Sequence, residues 1–293
     1  IAACHEGLAA LPPPPRERQG ELIEARLHSE LGTIYGMRGD YAQARSHIEL
    51  SLRTREAIDD LPGVVVSHNN LGYLWQLQGE YERAIDHYRV AEELARTINL
   101  RYMLIHAATN AAYALTSLGN YAAAEERCRE GLAIARELNA QQTVAQIENT
   151  LGVIHYRRGA YERALAAFEE ALQINRSLGS AHEEANALNH TAQVLAALGR
   201  YDEALQASGA ALARADELQA QVLRVEALNV LAEIALEQGR DGEAAALARE
   251  AAALAQTIGS EDDAAIAMRL EGMAAAALGE PFEQLLAASI ARF

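Results

Sequence analysis

The chain has 293 residues, and only 5% of them are aromatic although half are hydrophobic. Its formal net charge of −16 argues against nucleic acid and anionic membranes as partners, because both require a basic surface. Two cysteines are too few for a disulfide framework, and neither a membrane-spanning run nor a signal peptide is visible, so we expect a cytoplasmic protein.

One feature of the sequence is a glycine that recurs every 40 residues. A tyrosine follows it two residues later in the first five copies, and an alanine follows it five residues later in the first six. A fixed period of this size is the signature of a solenoid built from repeated helix pairs. The seven glycines are Gly39, Gly79, Gly119, Gly159, Gly199, Gly239 and Gly279.

The first residues precede the repeating pattern. Residues 1–11 resemble the second helix of an incomplete repeat, and Pro12–Pro15 end it because proline lacks an amide donor. The chain starts without methionine, which indicates a piece of a larger protein. We therefore separate residues 1–20, a remnant helix and a proline-rich loop, from an array at residues 21–293. The expected repeats are 21–60, 61–100, 101–140, 141–180, 181–220, 221–260 and 261–293, of which the last is a degenerate cap.

Each repeat is predicted to contain a helix A, a turn, a helix B and a loop. In the second repeat, helix A is expected at Val64–Gln78 and helix B at Tyr81–Ile98, with Gly79 between them because glycine accepts positive φ. The cluster Asp59–Gly63 is typical of a loop. The last helix B is expected at Phe282–Arg292. Small residues such as Gly72 and Ala84 are predicted where the two helices of a repeat touch.

The recurring order of residues identifies a family resemblance. In the second repeat the order is Leu71-Gly72, then Trp75, then Gly79, Tyr81 and Ala84. This order resembles the tetratricopeptide repeat (TPR), and the resemblance covers residues 21–293. It implies an all-α fold, a right-handed α-α superhelix (TPR solenoid) of about seven helix-turn-helix repeats.

The period of 40 exceeds the family's usual length. This longer form resembles the arrays of spindle-polarity adaptors, of kinesin light chains, and of bacterial signalling ATPases of the STAND class. In the last group the array is the C-terminal sensor of a regulator. The family binds peptides along a concave groove lined by one face of the A helices.

The corresponding face of this chain, here called the A-helix face, has an unusual composition. It is rich in Asn, Gln, His and Tyr, whereas a merely solvated helix face is rich in Glu, Lys and Arg. An amide side chain both donates and accepts, so a row of amides suits the backbone of an extended peptide, and tyrosines add contact area. The candidate ligand-binding residues are Asn69, Asn70, Tyr73, Gln76, His106, Asn110, Tyr113, Gln146, Asn149, Tyr156, Arg157, Asn186, Asn189, His190, Gln193 and Asn229.

The asparagines of this face also have a structural interpretation. Asparagines in successive repeats can bond to one another and fix the stacking register, or they can be copies inherited through repeat duplication. The sequence leaves both alternatives open.

No motif of a known catalytic centre is present. The nine histidines form no His-Glu-x-x-His pattern, there is no Cys-x-x-Cys, and a phosphate loop is impossible because the chain contains no lysine. His28 and His68 occupy equivalent positions in adjacent repeats but form a poor metal site without a carboxylate. We therefore expect no enzyme activity, no cofactor and no metal site.

The sequence predicts a non-catalytic module that binds a protein or an extended peptide in the groove. By resemblance it is the sensor or interaction part of a larger bacterial signalling or regulatory protein, and a monomer is favoured. The alternative is a structural scaffold that self-associates through the ends of its solenoid and has no groove ligand.

Overall fold

The structure is a computed structural model that describes residues 1–13 and 16–291. These residues form fifteen α-helices and no strand, which confirms the predicted all-α class. A short helix, α1, spans Ala2–Ala9, and helices of type A and type B then alternate. The A helices are α2 (Arg18–Met37), α4 (Leu61–Leu77), α6 (Arg101–Ser117), α8 (Gln141–Arg157), α10 (Ala181–Ala197), α12 (Gln221–Glu237) and α14 (Glu261–Leu278). The B helices are α3 (Tyr41–Ala57), α5 (Tyr81–Thr97), α7 (Tyr121–Glu137), α9 (Tyr161–Leu178), α11 (Tyr201–Leu218), α13 (Asp241–Ile258) and α15 (Glu283–Ile290).

The recurring glycine ends every A helix. At Gly79 the backbone has a φ of +75°, a conformation that glycine adopts without a steric penalty. The next amide, of Glu80, donates to the carbonyl oxygen of Trp75 at 3.0 Å and so satisfies one of the last carbonyls of the helix. The turn from each B helix to the next A helix also contains one residue of positive φ. These residues are Asp59, Asn99, Asn139, Gly179, Gln219 and Gly259.

Helix α4 begins earlier than the sequence pattern predicts. Leu61, Pro62 and Gly63 were expected in a loop but form the first turn of α4. Proline is tolerated there because the first amides of a helix have no partner within the helix. The carboxylate of Asp60 caps this turn by accepting from the Gly63 amide at 3.2 Å.

Glycines on the A helices allow close contact within a repeat. A Cβ atom on Gly72 would lie 2.5 Å from the ring of Tyr88, and one on Gly152 would overlap Phe168 in the same way. Tyr88 and Phe168 are fully buried, as is the predicted contact residue Ala84. The prediction of small residues where the two helices touch is therefore confirmed.

The helices at the two ends of the chain are short. Helix α1 lies against α2, where Gly7 faces the side chain of Leu27. Part of the predicted proline-rich loop, Pro14 and Pro15, lies outside the described residues. Helix α15 ends at Ile290, and Arg292, which was expected in it, also lies outside them.

The chain divides into two compact units, Ile1–Thr143 and Val144–Phe293. In the first unit, a buried cluster around Tyr88 joins α4, α5 and α6. In the second unit, a cluster around Phe168 includes Val194 and Ile234 and so joins helices of three successive repeats. Within each unit the core is thus continuous from repeat to repeat. This continuity is expected, because a single repeat cannot bury its apolar face without a neighbour.

Candidate functional site

The A-helix face of the first unit presents two exposed aromatic side chains. Tyr73 on α4 and Tyr113 on α6 occupy equivalent repeat positions and are 45% and 53% exposed. His106 is also exposed. The remaining candidates of this unit are half-buried between these rings and the core: Asn69, Asn70, Gln76 and Asn110.

Two amides of the first unit bond between adjacent A helices, and a third bonds within its own repeat. Asn110 Nδ2 donates to Asn69 Oδ1 at 3.1 Å, and Asn70 Nδ2 donates to the hydroxyl of Ser29 at 3.2 Å. The side-chain oxygen of Gln76 accepts from the hydroxyl of Tyr88 at 3.0 Å. These amides retain unused donors or acceptors at the surface, because each takes part in only one of its possible hydrogen bonds here.

Two candidates in the second unit are buried, so the expectation that they line an open face is wrong. Asn189 is 2% exposed and Asn229 is 6% exposed. Their Nδ2 atoms donate across the seam to the next A helix, to the carbonyl oxygens of Leu223 at 3.5 Å and Asp263 at 3.4 Å. At these two positions the structural alternative, an inter-repeat contact, describes the geometry better than a ligand contact.

The other candidates of the second unit have varied surroundings. Gln146 and Arg157 are exposed, and Asn149 and Asn186 are half-buried. The ring of His190 stacks on Phe168 with centroids 5.0 Å apart, and its Nδ1 lies 3.4 Å from the Gln193 side-chain oxygen. Burial lowers the pKa of His190, which favours a neutral ring. Tyr156 lies beside Tyr161, with centroids 5.6 Å apart.

The sequence pattern did not reveal a cavity of about 430 Å³ in the first unit that contains a buried arginine. The guanidinium of Arg55, on α3, lies beside Arg26 and is 4.0 Å from the carboxylate of Asp60. Burial lowers the pKa of Arg55, and Asp60 opposes this shift. The one sequence feature that marks this cavity is Gly63, a glycine in the first turn of a helix. A Cβ atom at that position would collide with Asp60 and with Arg55. The pair of guanidinium groups gives an acidic chain one locally basic recess.

The described residues offer no arrangement for a metal ion. Within residues 1–13 and 16–291, no three His, Cys, Asp or Glu side chains are grouped to hold one. His28 Nδ1 faces His47 Nδ1 at 2.9 Å, and His68 Nδ1 faces His87 Nδ1 at 3.1 Å, so each histidine singled out from the sequence is paired with one on its B helix. None of the described helices combines the length and the apolar character needed to cross a membrane.

Sequence profiles match most of the chain. One profile of the tetratricopeptide repeat matches residues 23–97, 104–177 and 143–217, and a second matches residues 191–257. No curated protein matches the chain by sequence.

Solved structures with the same fold include three informative neighbours. A STAND protein with a tetratricopeptide repeat sensor from Pyrococcus horikoshii superposes with a TM-score of 0.71 at 15% identity, over 94% of this chain and 43% of that one. A Rap protein complexed with Competence and Sporulation Factor gives 0.64 at 16% identity, over 89% and 78% of the two chains. A Podosopora anserina protein with TPR-like repeats of the kinesin light chain type gives 0.55 at 17% identity, over 66% and 96%. At these identities the likeness concerns the fold.

Proposed function

Because this chain belongs to the tetratricopeptide repeat family, we propose that it is a non-catalytic module that binds a protein or peptide segment on its A-helix face. Membership of the family supports a role in protein interaction. The use of this face is our proposal, and it depends on the side chains that the face presents.

The observation that carries the proposal is the pair of exposed tyrosines in the first unit. Tyr73 and Tyr113 repeat on neighbouring A helices, with the bonded amides of Asn69 and Asn110 beside them. Tyrosine is enriched among the residues that dominate binding energy, because its large ring offers apolar area and its hydroxyl a hydrogen bond. Half-buried amides can bond to the backbone of an extended segment without reading its side chains.

The setting we propose is a bacterial signalling or regulatory protein, in which this array is the sensor or interaction part. Two structural neighbours support it: one is a STAND protein with a tetratricopeptide repeat sensor, and another is a Rap protein in complex with Competence and Sporulation Factor. A change in the array on binding would then alter the activity of an attached or associated effector.

A peptide-display selection against the whole chain tests the use of the face. Peptides enriched on the chain are measured against the double variant Tyr73→Ser/Tyr113→Ser. We expect the variant to bind at least about tenfold more weakly, because it removes two hot-spot side chains. The tyrosines are exposed, so the free energy of unfolding should change by no more than about 0.5 kcal/mol per substitution.

The matched control is Leu50→Ser, which removes an exposed apolar side chain from a B helix, α3, of the same unit. This control should bind the peptides as the unchanged chain does. Equal affinity of the tyrosine variant would show that the A-helix face is not the site. A folded chain that enriches no peptide, and whose light scattering grows with concentration, would favour the scaffold alternative.

A further inference from the structure

A second cavity, of about 480 Å³, lies in the second unit and combines aromatic rings with carboxylates. The rings are those of Tyr156, Tyr161 and Tyr201, and the carboxylates are those of Glu233 and Glu237. The cavity lies at the carboxyl ends of α8, α10 and α12 and at the first residues of α9 and α11. It therefore opens beside the A–B turns of successive repeats.

The cavity exists because one A helix ends in small residues. Helix α10 carries Ala196 and Ala197 where the preceding repeat carries Tyr156 and Arg157 and the following repeat carries Leu236 and Glu237. The missing side-chain volume leaves space between the rings on one side and the carboxylates on the other. Its size falls within the range of small-ligand sites, roughly 300–1,000 Å³, and is sufficient for one long side chain with accompanying water.

The rings of this cavity are open to a cation, whereas an aromatic platform in the first unit is already occupied. There, the guanidinium carbons of Arg83 and Arg45 lie 4.7 Å and 5.6 Å from the centroid of Trp75. In the described part of the chain no arginine lies over Tyr156, Tyr161 or Tyr201. The two nearest rings, Tyr156 and Tyr161, are inclined by 52° and so form two walls of a partial cage.

In the described part of the chain neither carboxylate of this cavity forms an ion pair, although the charge of Arg269 acts on Glu233 from a distance. Among the described residues, neither Glu233 nor Glu237 has a hydrogen-bond or ion-pair partner. Glu233 is half-buried, and this partial burial raises the pKa of its carboxyl. The charge of Arg269 opposes the shift, and that of Glu237 adds to it. Glu233 also contributes to the raised pKa of Tyr156, whose main cause is burial. Withdrawing a carboxylate from water without an ion-pair partner costs free energy even when the burial is partial, and a bound cation would offset that cost.

We propose that this cavity binds the cationic side chain, arginine or lysine, of a segment held on the A-helix face, with the tyrosine rings contacting its charged group and Glu233 pairing with it. The peptide origin of the cation depends on the proposed function, whereas the affinity of the cavity for a cation does not. The carboxylates exclude an anionic group, and the polar lining disfavours a purely apolar one. The segment recognised by this acidic chain therefore carries a basic residue.

Two small probes of equal shape test the cavity by NMR titration of the whole chain. Nα-acetyl-arginine amide carries the guanidinium, and Nα-acetyl-citrulline amide replaces it with a neutral urea group. We expect the arginine probe to bind, with the citrulline probe at least about tenfold weaker, because both the cation–π contacts and the charge pair require a cation. Binding of the two probes with equal affinity would overturn the proposal.

Two variants and one control locate the binding. Glu233→Gln removes the charge while keeping the shape, and Tyr161→Leu removes one wall; each should weaken binding of the arginine probe several-fold. Tyr121→Leu changes the same repeat position in the first unit and should leave the affinity unchanged. If Tyr161→Leu fails to fold, Glu233→Gln still decides, and an unchanged affinity in that variant contradicts the proposal.

The peptide selection separates this inference from the proposed function. The enriched peptides could share no basic residue and could bind the Glu233→Gln variant as well as the unchanged chain. That result would support the proposed function and contradict the cation-binding cavity. An arginine probe that binds as expected, with no peptide enriched, would overturn the peptide origin and leave a site for free guanidinium compounds. Peptides whose single arginine cannot be replaced by citrulline support both.

Discussion

At the scale of single residues, the fold depends on the contrast between glycine and large side chains. Gly72 faces Tyr88, Gly152 faces Phe168, and neither pair has room for another carbon atom. Protein interiors are packed as densely as organic crystals, so an added methyl group must displace its neighbours. The glycine is therefore required for the distance between the two helices of a repeat, even though it lowers helix propensity.

Replacing Gly72 by alanine should lower the free energy of unfolding by about 1–3 kcal/mol, because the new Cβ would collide with the buried Tyr88 ring. The measurement is urea unfolding followed by circular dichroism. The matched control is Gly209→Ala in α11, where no heavy atom lies within 4 Å of the new Cβ. This control should stabilise the chain by up to about 1 kcal/mol through helix propensity. A stabilising effect of Gly72→Ala would contradict the close contact.

The candidate site was predictable from the sequence only in part. Periodicity placed Tyr73 and Tyr113 on an open face, and the structure exposes both. Periodicity could not distinguish these exposed positions from those of Asn189 and Asn229, which lie at the border between the apolar stripe and the open face. The burial of such a residue depends on how closely the next A helix approaches, and this distance is set by contacts between repeats. The empty space at Ala196 and Ala197 was likewise invisible, because small residues indicate a cavity only when their neighbours are known.

At the scale of helices, most bounds followed from local chemistry. The A helices end where the recurring glycine was expected, since no other residue adopts its φ as easily. The sequence pattern places the start of α4 too late because Pro62 and Gly63 are typical of loops, whereas a proline in the first turn and a cap by Asp60 favour a helix. The periodicity of a single helix does not reveal the histidine pairs, because the two members of each pair lie on different helices, 19 residues apart in the sequence.

The histidine pairs give the contact between two helices a pH dependence. Burial lowers the pKa of both His68 and His87 below the usual 6.5, and in His87 the charge of His68 adds to the shift. Well above pH 6.5 the pair is neutral in both the folded and the unfolded chain. As the pH falls below 6.5, the unfolded chain binds protons first, so the free energy of unfolding decreases until the folded pKa values are passed.

The double variant His68→Leu/His87→Ala should reduce this loss of stability in acid. It copies the pair Leu188 and Ala207, which occupies the equivalent positions three repeats later. Urea midpoints measured between about pH 5 and pH 8 for both proteins give the difference due to the pair. Buried carboxylates such as Glu92, whose raised pKa stabilises the fold in acid, act in the opposite direction. They are present in both proteins, so their contribution drops out of the difference. Parallel pH profiles of the two proteins would rule out a contribution from the pair.

At the scale of the whole molecule, the charge of −16 acts on every part of the chain. Several ion pairs join exposed arginine and glutamate side chains, such as Arg89 and Glu93, and pairs of this kind contribute little to stability. Mutual repulsion among the excess carboxylates opposes the compact state. The net effect of charge on stability should therefore be unfavourable.

Raising the NaCl concentration from about 10 mM to about 1 M should increase the thermal midpoint, because the screening length falls from roughly 30 Å to 3 Å. Differential scanning calorimetry measures this change. Sucrose at matched osmolality serves as the uncharged control for effects on surface hydration. A midpoint that falls with NaCl would mean that the arginine–glutamate pairs outweigh the repulsion.

The two turns of positive φ in each of the first six repeats have a consequence for the length of the chain. Both recur at intervals of 40 residues, so an exchange between two copies that adds or removes 40 residues leaves every turn and every helix contact in phase. An insertion or deletion of another length inside a helix would rotate the rest of that helix by about 100° per residue and turn apolar side chains towards solvent. Natural variants of this array should therefore differ in length by whole repeats, and recombination between copies becomes a way to lengthen or shorten the proposed binding surface without a new fold.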